Sequence, residues 1–158
     1  MGLLDGKRGL VFGVANDRSI ANHIALSLKA EGATCGFTYL PGEKNERRVR
    51  KALEEGGMAD AWVYPCDASN DAELDAAFAA AREKFDTLDF LIHSIAYADR
   101  AYLKHGMFAE TPRAVFAQAL DISAYSLVAM CKRARDLMPR GGVGMLVCFR
   151  GNGIAVSL

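Results

Sequence analysis

Five short apolar runs, separated by longer segments of helical period, constrain the fold of this chain more than any other feature of it. GLVFGV (9–14), ATCGFTYL (33–40), AWVYP (61–65), FLIHS (90–94) and GMLVCF (144–149) read as buried strands. SIANHIALSLKAEG (19–32) carries Ile20, Ile24, Leu26 and Leu28 ahead of a Gly32 stop, so the first strand feeds a helix. EKNERRVRKALEEGG (43–57) has a narrow apolar stripe of Val49, Ala52 and Leu53, and DAELDAAFAAAREKF (71–85) sets Leu74, Ala77, Phe78 and Ala81 on one face. Thr111-Pro112 starts a fourth helix that runs to about Leu137 and is stopped by Pro139 and Gly141-Gly142. Strands joined by helices of this length require right-handed crossovers, hence an α/β fold with a parallel sheet covered on both faces.

At 158 residues and 51% hydrophobic, the chain buries one sizeable core, and a single domain is expected. Nineteen basic and nineteen acidic residues cancel, so no net field favours nucleic acid or an anionic membrane. The apolar runs fall far short of the roughly 20 residues of a membrane helix, and charges precede any signal-like stretch at the N-terminus, which points to a cytoplasmic protein. Cys35, Cys66, Cys131 and Cys148 form no Cys-x-x-Cys pair and no grouping with His23, His93 or His105, so they read as structural thiols and no metal site is expected.

The ends of the strands carry the chemistry. GVANDRSIA (13–21) follows the first strand: Gly13 permits close backbone approach, and the helix start near Ser19 and Ile20 offers N–H groups to a diphosphate. An ordinary strand–helix connection capped by Ser19 is the alternative. The second strand ends at Leu40, where dinucleotide folds place an acid for a ribose or a cation for a 2′-phosphate. Leu40 is neither, which favours NADH over NADPH, although Lys44, Arg47 and Arg48 follow on what reads as a solvated helix face. CDAS (66–69) sets Asp67 to accept from an adenine amino group or to cap the next turn. HSIAYA (93–98) supplies small residues beside a nicotinamide, with His93 read as a satisfied structural histidine.

These stretches together, GVANDRSIA, FTY, PCDAS, LDFLIHSIAYAD and ALDISAYSLVAM, resemble the NADH-dependent enoyl-acyl-carrier-protein reductases of the short-chain dehydrogenase/reductase superfamily, over about residues 2–142. The resemblance implies a Rossmann-type doubly wound sheet of about five strands, incomplete against the family. It also implies a homotetramer and reduction of a trans-2-enoyl thioester on acyl carrier protein in bacterial fatty-acid synthesis. It carries Gly13, Ser19 and Ile20 to the diphosphate, Leu40 to the adenosine ribose, and Asp67 and Ala68 to the adenine. Ser94, Ile95 and Ala96 go to the nicotinamide half and Ala98 to the acyl substrate. Asn22-His23 stands where members often carry Trp-Gly, a change expected to disturb packing more than cofactor contact.

Residues 1–142 are thus expected to form the dinucleotide-binding part, and 143–158 a fifth strand with a divergent tail. In the family the fifth strand ends in a Tyr, and a second Tyr follows with a Lys seven residues beyond it. A phenol there donates to the developing enolate while the ammonium fixes the cofactor ribose. Phe149 falls at the first Tyr, keeping the ring and losing the donor, and the chain has neither the second Tyr nor its Lys. The ending reads as a truncation or frameshift that leaves the chain without turnover, the fifth strand as an apolar sheet edge and the fourth helix with an exposed apolar face. Two other readings stand beside this one. One is a non-catalytic module that binds dinucleotide and associates with a full-length reductase. The other is a dehydrogenase using His93, Tyr97 or Tyr102, against which Lys104 trails Tyr97 by seven only within an expected loop.

Overall fold

The computed structural model describes residues 2–147 and the backbone of 154–157. Strand β1 (Arg8–Phe12) is its centre, flanked in parallel by β2 (Thr34–Tyr39) and β4 (Phe90–His93). Beyond them lie β3 (Val63–Pro65) on one side and β5 (Val143–Leu146) on the other, both parallel. A last strand, β6 (Ile154–Ser157), pairs antiparallel with β5 and completes the order β3-β2-β1-β4-β5-β6. The helices are α1 (Ile20–Ala30), α2 (Glu43–Glu55), α3 (Asp71–Phe85), α4 (Arg113–Leu120) and α5 (Ser126–Ala134).

Alternation along β1 and β4 divides the core into two layers, since successive side chains in a strand point to opposite faces. Leu10, Phe12 and Leu91 pack with Leu74, Phe78 and Phe85 of α3 and with Leu127, Met130 and Leu137. Val11, Phe37 and Ile92 face the opposite way, onto Ala21 and Ala25 of α1 and Val49 and Leu53 of α2. The stripes read in α2 and α3 are therefore the buried ones. Asn70 caps α3, its side chain accepting from the N–H groups of Ala72 and Glu73, while Arg133 ties α5 to α3 through Asp71 and Asp75 at 3.0 and 2.7 Å.

Three features depart from the sequence reading. The fourth helix runs without interruption over Arg113–Leu137, as expected, but is not regular: a π turn, Asp121–Tyr125, joins α4 to α5, and a 3-10 turn, Arg135–Leu137, ends it. The fifth strand is not an edge, because β6 takes up its outer hydrogen bonds. The continuous helical stretch Arg113–Leu137, 25 residues long, contains an 18-residue window of mean hydropathy 1.5 and so is long and apolar enough to cross a membrane by length and composition alone. Counting unbroken apolar runs passes over it because Gln118, Asp121, Ser123 and Ser126 interrupt them. The expected exposed apolar face is present, with Phe116, Leu120, Tyr125 and Val128 all more than half exposed.

Cys35 and Cys66 are buried free thiols pushed up to about 12, Cys35 by burial and Cys66 by burial reinforced by Glu73 and Asp67. Cys131 is half-buried and also raised by burial, and Cys148 lies outside the described residues. Phe12 is fully buried and stacks on Phe78 with ring centroids 5.9 Å apart. Phe12→Ala is expected to cost about 3–5 kcal/mol of unfolding free energy. A urea titration in which the midpoint fails to fall would contradict this packing.

Candidate functional site

Parallel register brings the carboxyl ends of β1, β2 and β4 to one edge, since Phe12 lies beside both Thr38 and His93. The residues that follow these positions line a cleft of about 510 Å³. Gly13, Leu40, Asp67, Ala68, Ser94, Ile95 and Ala96 all border it. Ser19, Ile20 and Ala98 do not, so the structure brings together seven of the ten residues singled out in the sequence. Phe149 lies outside the described residues.

Gly13 is held at φ +102°, where a side chain is strained, and a Cβ there would collide with the Ser94 carbonyl. Only glycine lets β1 turn this tightly against the end of β4. Ser19 occupies the N-cap of α1 but makes no side-chain cap. Its hydroxyl donates to the Asn16 carbonyl at 2.7 Å and accepts from the Ala15 N–H at 3.4 Å, and Ala15 is a cleft residue. The hydroxyl thus fixes the turn and leaves the first-turn N–H groups of α1 without a side-chain partner.

Asp67 serves the local turn: its Oδ1 accepts from the Ser69 N–H at 2.9 Å and from the Ser69 hydroxyl at 2.7 Å. The turn-capping half of its two readings is therefore present in the structure. Leu40 is 59% exposed at the rim. Its carbonyl accepts from Nδ2 of Asn45 at 2.9 Å, and Asn45 also lines the cleft. No lysine or arginine is among the lining residues; Lys44, Arg47 and Arg48 are exposed on α2. Tyr39 borders the cleft, its phenol pushed up by burial and by the neighbouring Glu46 carboxylate.

Tyr97, named in the sequence only as an alternative catalytic group, lies on the wall of the cleft, and sequence reasoning missed Gln118 and Ile122, which also line it. Tyr97 directly follows the recognised Ser-Ile-Ala. Gln118 and Ile122 stand four apart on one helix, a spacing that marks a shared face. Asn22 is buried, with Nδ2 donating to the Asp17 carbonyl at 3.2 Å and Oδ1 without a partner among the described residues. Its effect is on the packing of the turn ahead of α1, and it does not line the cleft.

One Tyr-x6-Lys spacing lies within the long helix and escaped the sequence reading: Tyr125 and Lys132. Tyr125 is 58% exposed and neither residue borders the cleft, so this pair is not placed to serve it. Lys104 lies in a turn, as expected.

His93 has no exposed surface. Its Nε2 is 2.7 Å from the Ser126 hydroxyl, which itself lies 2.7 Å from the Ile122 carbonyl. Ser126 has one hydrogen and gives it to that carbonyl, so its oxygen accepts from an Nε2–H; Nδ1 is buried without a partner among the described residues, which favours the neutral ring protonated at Nε2, a tautomer assigned from this network. Burial holds the His93 pKa down, against a smaller opposing pull from its own carbonyl.

A cleft at the carboxyl edge of a doubly wound parallel sheet, opening where the strand order reverses between β1 and β4, defines a Rossmann-type α/β protein. The chain belongs to the enoyl-(acyl carrier protein) reductase family, whose model matches residues 13–156. That match runs past residue 142, where the resemblance in the sequence had ended, into the segment taken for a divergent tail. It is 43% identical over 155 residues to the enoyl-[acyl-carrier-protein] reductase [NADH] FabI of Nostoc sp., covering 97% of this chain and 59% of that one. Against enoyl-[acyl-carrier-protein] reductase [NADH] 2 of Rhizobium meliloti it is 40% identical over 151 residues, covering 96% and 55%. The Bacillus cereus enoyl-acyl carrier protein reductase, solved with NADP+ and indole naphthyridinone, superposes with a TM-score of 0.82 at 44% identity, over 89% of this chain and 54% of that one. The Anaplasma phagocytophilum enzyme, solved with NAD, gives 0.81 at 36% identity, over 90% and 54%. The chain therefore spans little more than half the length of these relatives.

The neutral His93 yields a pH prediction. The unfolded chain takes up a proton near the ordinary value of 6.5, while the folded chain resists until a lower pH. Its contribution to stability is therefore full above pH 6.5 and falls as the pH drops below it. Urea midpoints measured on both sides of that pH should show a steeper acid-side loss in the parent chain than in His93→Gln. Equal slopes would show that His93 is not buried neutral.

Proposed function

We propose that this chain carries the cofactor-binding part of an NADH-dependent enoyl-acyl-carrier-protein reductase of fatty-acid synthesis. The observation that carries this reading is the cleft itself: strand ends carrying the family's motif residues meet at one edge, beside a helix start whose side chain does not cap it. In this reading Gly13 and the N–H groups near Ser19 and Ile20 receive the diphosphate, Ser19 by shaping the turn. Leu40 lies under the adenosine ribose, and Asp67 and Ala68 border the adenine through the carboxylate oxygen that Ser69 does not use. Ser94, Ile95 and Ala96 form the nicotinamide wall, with Ala98 beyond it towards the acyl chain. Residues 1–142 supply this binding part, and β5 and β6 extend the sheet beyond it.

The absence of a cation among the lining residues supports NADH over NADPH, because a 2′-phosphate would be left unpaired beside Leu40. Relatives named for NADH support it too. When bound, the dinucleotide supplies the hydride that reduces the enoyl double bond. The chain's residues orient the nicotinamide edge and exclude water from it. The charge that hydride addition moves onto the thioester oxygen needs a phenol paired with an ammonium; Tyr39 and Tyr97 bring phenols to the described cleft, but no lysine is among its described lining residues, so the chain is proposed to bind cofactor without turning over alone. The reading places it in the cytoplasm, where acyl carrier protein delivers the enoyl thioester.

A second reading, a binding module that associates with a full-length reductase, is favoured by the exposed apolar side of α4 and α5 at Phe116, Leu120, Tyr125 and Val128. It predicts co-elution with an intact reductase on size exclusion. Separate elution removes it.

NADH titrated into the chain should give saturable binding by fluorescence, with no loss of NADH absorbance when a crotonyl thioester is added. Gly13→Ala forces a Cβ against the Ser94 carbonyl and should raise the NADH Kd about tenfold or more, equivalent to ~1.4 kcal/mol. A parent chain that binds no NADH defeats the proposal, and steady oxidation of NADH defeats its claim of no turnover.

A further inference from the structure

The wall formed by residues 94–97 has an unusual support. At Ser94 the backbone still belongs to the sheet, its N–H donating to the Phe12 carbonyl at 3.0 Å. Three residues later both backbone groups of Tyr97 turn to a single side chain. The Ser123 hydroxyl accepts from the Tyr97 N–H at 2.9 Å and lies 3.2 Å from the Tyr97 carbonyl, to which it donates. One hydroxyl thus satisfies both polar groups of a cleft residue 26 positions away in sequence.

Ser123 can do this because it sits at the middle of the π turn Asp121–Tyr125. A π turn takes one residue more than an α turn and leaves a carbonyl without its usual partner, a local cost that usually signals a function. The Ile122 carbonyl is taken up by the Ser126 hydroxyl at 2.7 Å, and Ser126 is held in turn by buried His93 at the end of β4. The π turn is therefore fastened at two points, to the end of β4 by His93 to Ser126 and to the chain that follows β4 by Ser123 to Tyr97. Gln118 and Ile122 on the same helix face the cleft across this seam.

We propose that Ser123 is a positioning residue that fixes the 94–97 wall in the conformation that receives the nicotinamide end of the dinucleotide. The His93–Ser126 pair holds the π turn that presents it. The inference rests on reading the cleft as a dinucleotide site and adds to it a residue on a different element from any strand end. Ser123 touches neither ligand nor reacting atoms in this assignment; it acts through the backbone of Tyr97.

The test separates the two halves of the ligand. NADH and ADP are titrated into the parent chain, Ser123→Ala and Ser123→Thr. Losing the hydroxyl unties both Tyr97 groups, so Ser123→Ala should raise the NADH Kd about five- to tenfold, as expected for one or two net hydrogen bonds. The ADP Kd should stay within about twofold, because the adenosine half does not touch this wall, while Ser123→Thr, which keeps the hydroxyl, should restore NADH affinity. Unchanged NADH affinity in Ser123→Ala overturns the clamp, as does an equal loss for NADH and ADP, which would be general damage. Should Ser123→Ala fail to fold, Ser123→Cys is measured in its place by the same split, since it keeps the shape and weakens the bond. A parent chain that binds neither ligand overturns the site reading itself, and the clamp with it, whereas a parent that binds both beside an indifferent variant overturns the clamp alone.

Discussion

The parallel pairing of β1 with both β2 and β4 is the constraint on which the rest of the structure depends. It sets Phe12 beside Thr38 and His93, so the chain leaves the sheet after all three strands at a common edge. Because β1 is covered on both faces, a slip of one residue would exchange Leu10 and Phe12 with Val11 between two differently shaped layers. The register that keeps the core intact is the one that assembles the cleft. Stability and site geometry are fixed by the same pairing.

Period and punctuation made most of this legible. The apolar stripe of α2 and that of α3 are the buried ones, and the α3 span of residues 71–85 matches the segment read from its alanine-rich pattern. Strand ends rich in Gly, Ser and Ala marked most of the cleft. The features that escaped are those decided by contacts distant in sequence. Nothing in ALDISAYSLVAM interrupts a helical period, so the π turn is visible only once Ser123 meets Tyr97 and Ser126 meets His93. The pairing of β6 with β5 is equally invisible locally, because GIAVS states a preference for extended backbone without naming a partner.

The polar groups near the cleft show how a local rule gives way to a site. A helix N-terminus usually ends in a side-chain cap, worth about 1 kcal/mol. Ser19 forgoes that bond and holds the turn ahead of α1 instead, whereas Asn70 at the start of α3, directly after the cleft residue Ser69, makes it. Asp67 divides itself differently, giving one oxygen to Ser69. Such departures concentrate where a fold has a second task beside packing.

The helix after the 97–110 loop joins two surfaces that the sequence gives no reason to connect. Its inner side supplies Gln118 and Ile122 to the cleft, and its outer side exposes Phe116, Leu120, Tyr125 and Val128. Between them lies the π turn, in and beside which Ser123 reaches the backbone of Tyr97 and Ser126 reaches His93 at the end of β4. Any partner that covered the outer face would press on the same turn. The wall of the cleft and the apolar face of the helix therefore meet at one turn, where the hydroxyl of Ser123 holds the backbone of Tyr97 and that of Ser126 holds the end of β4.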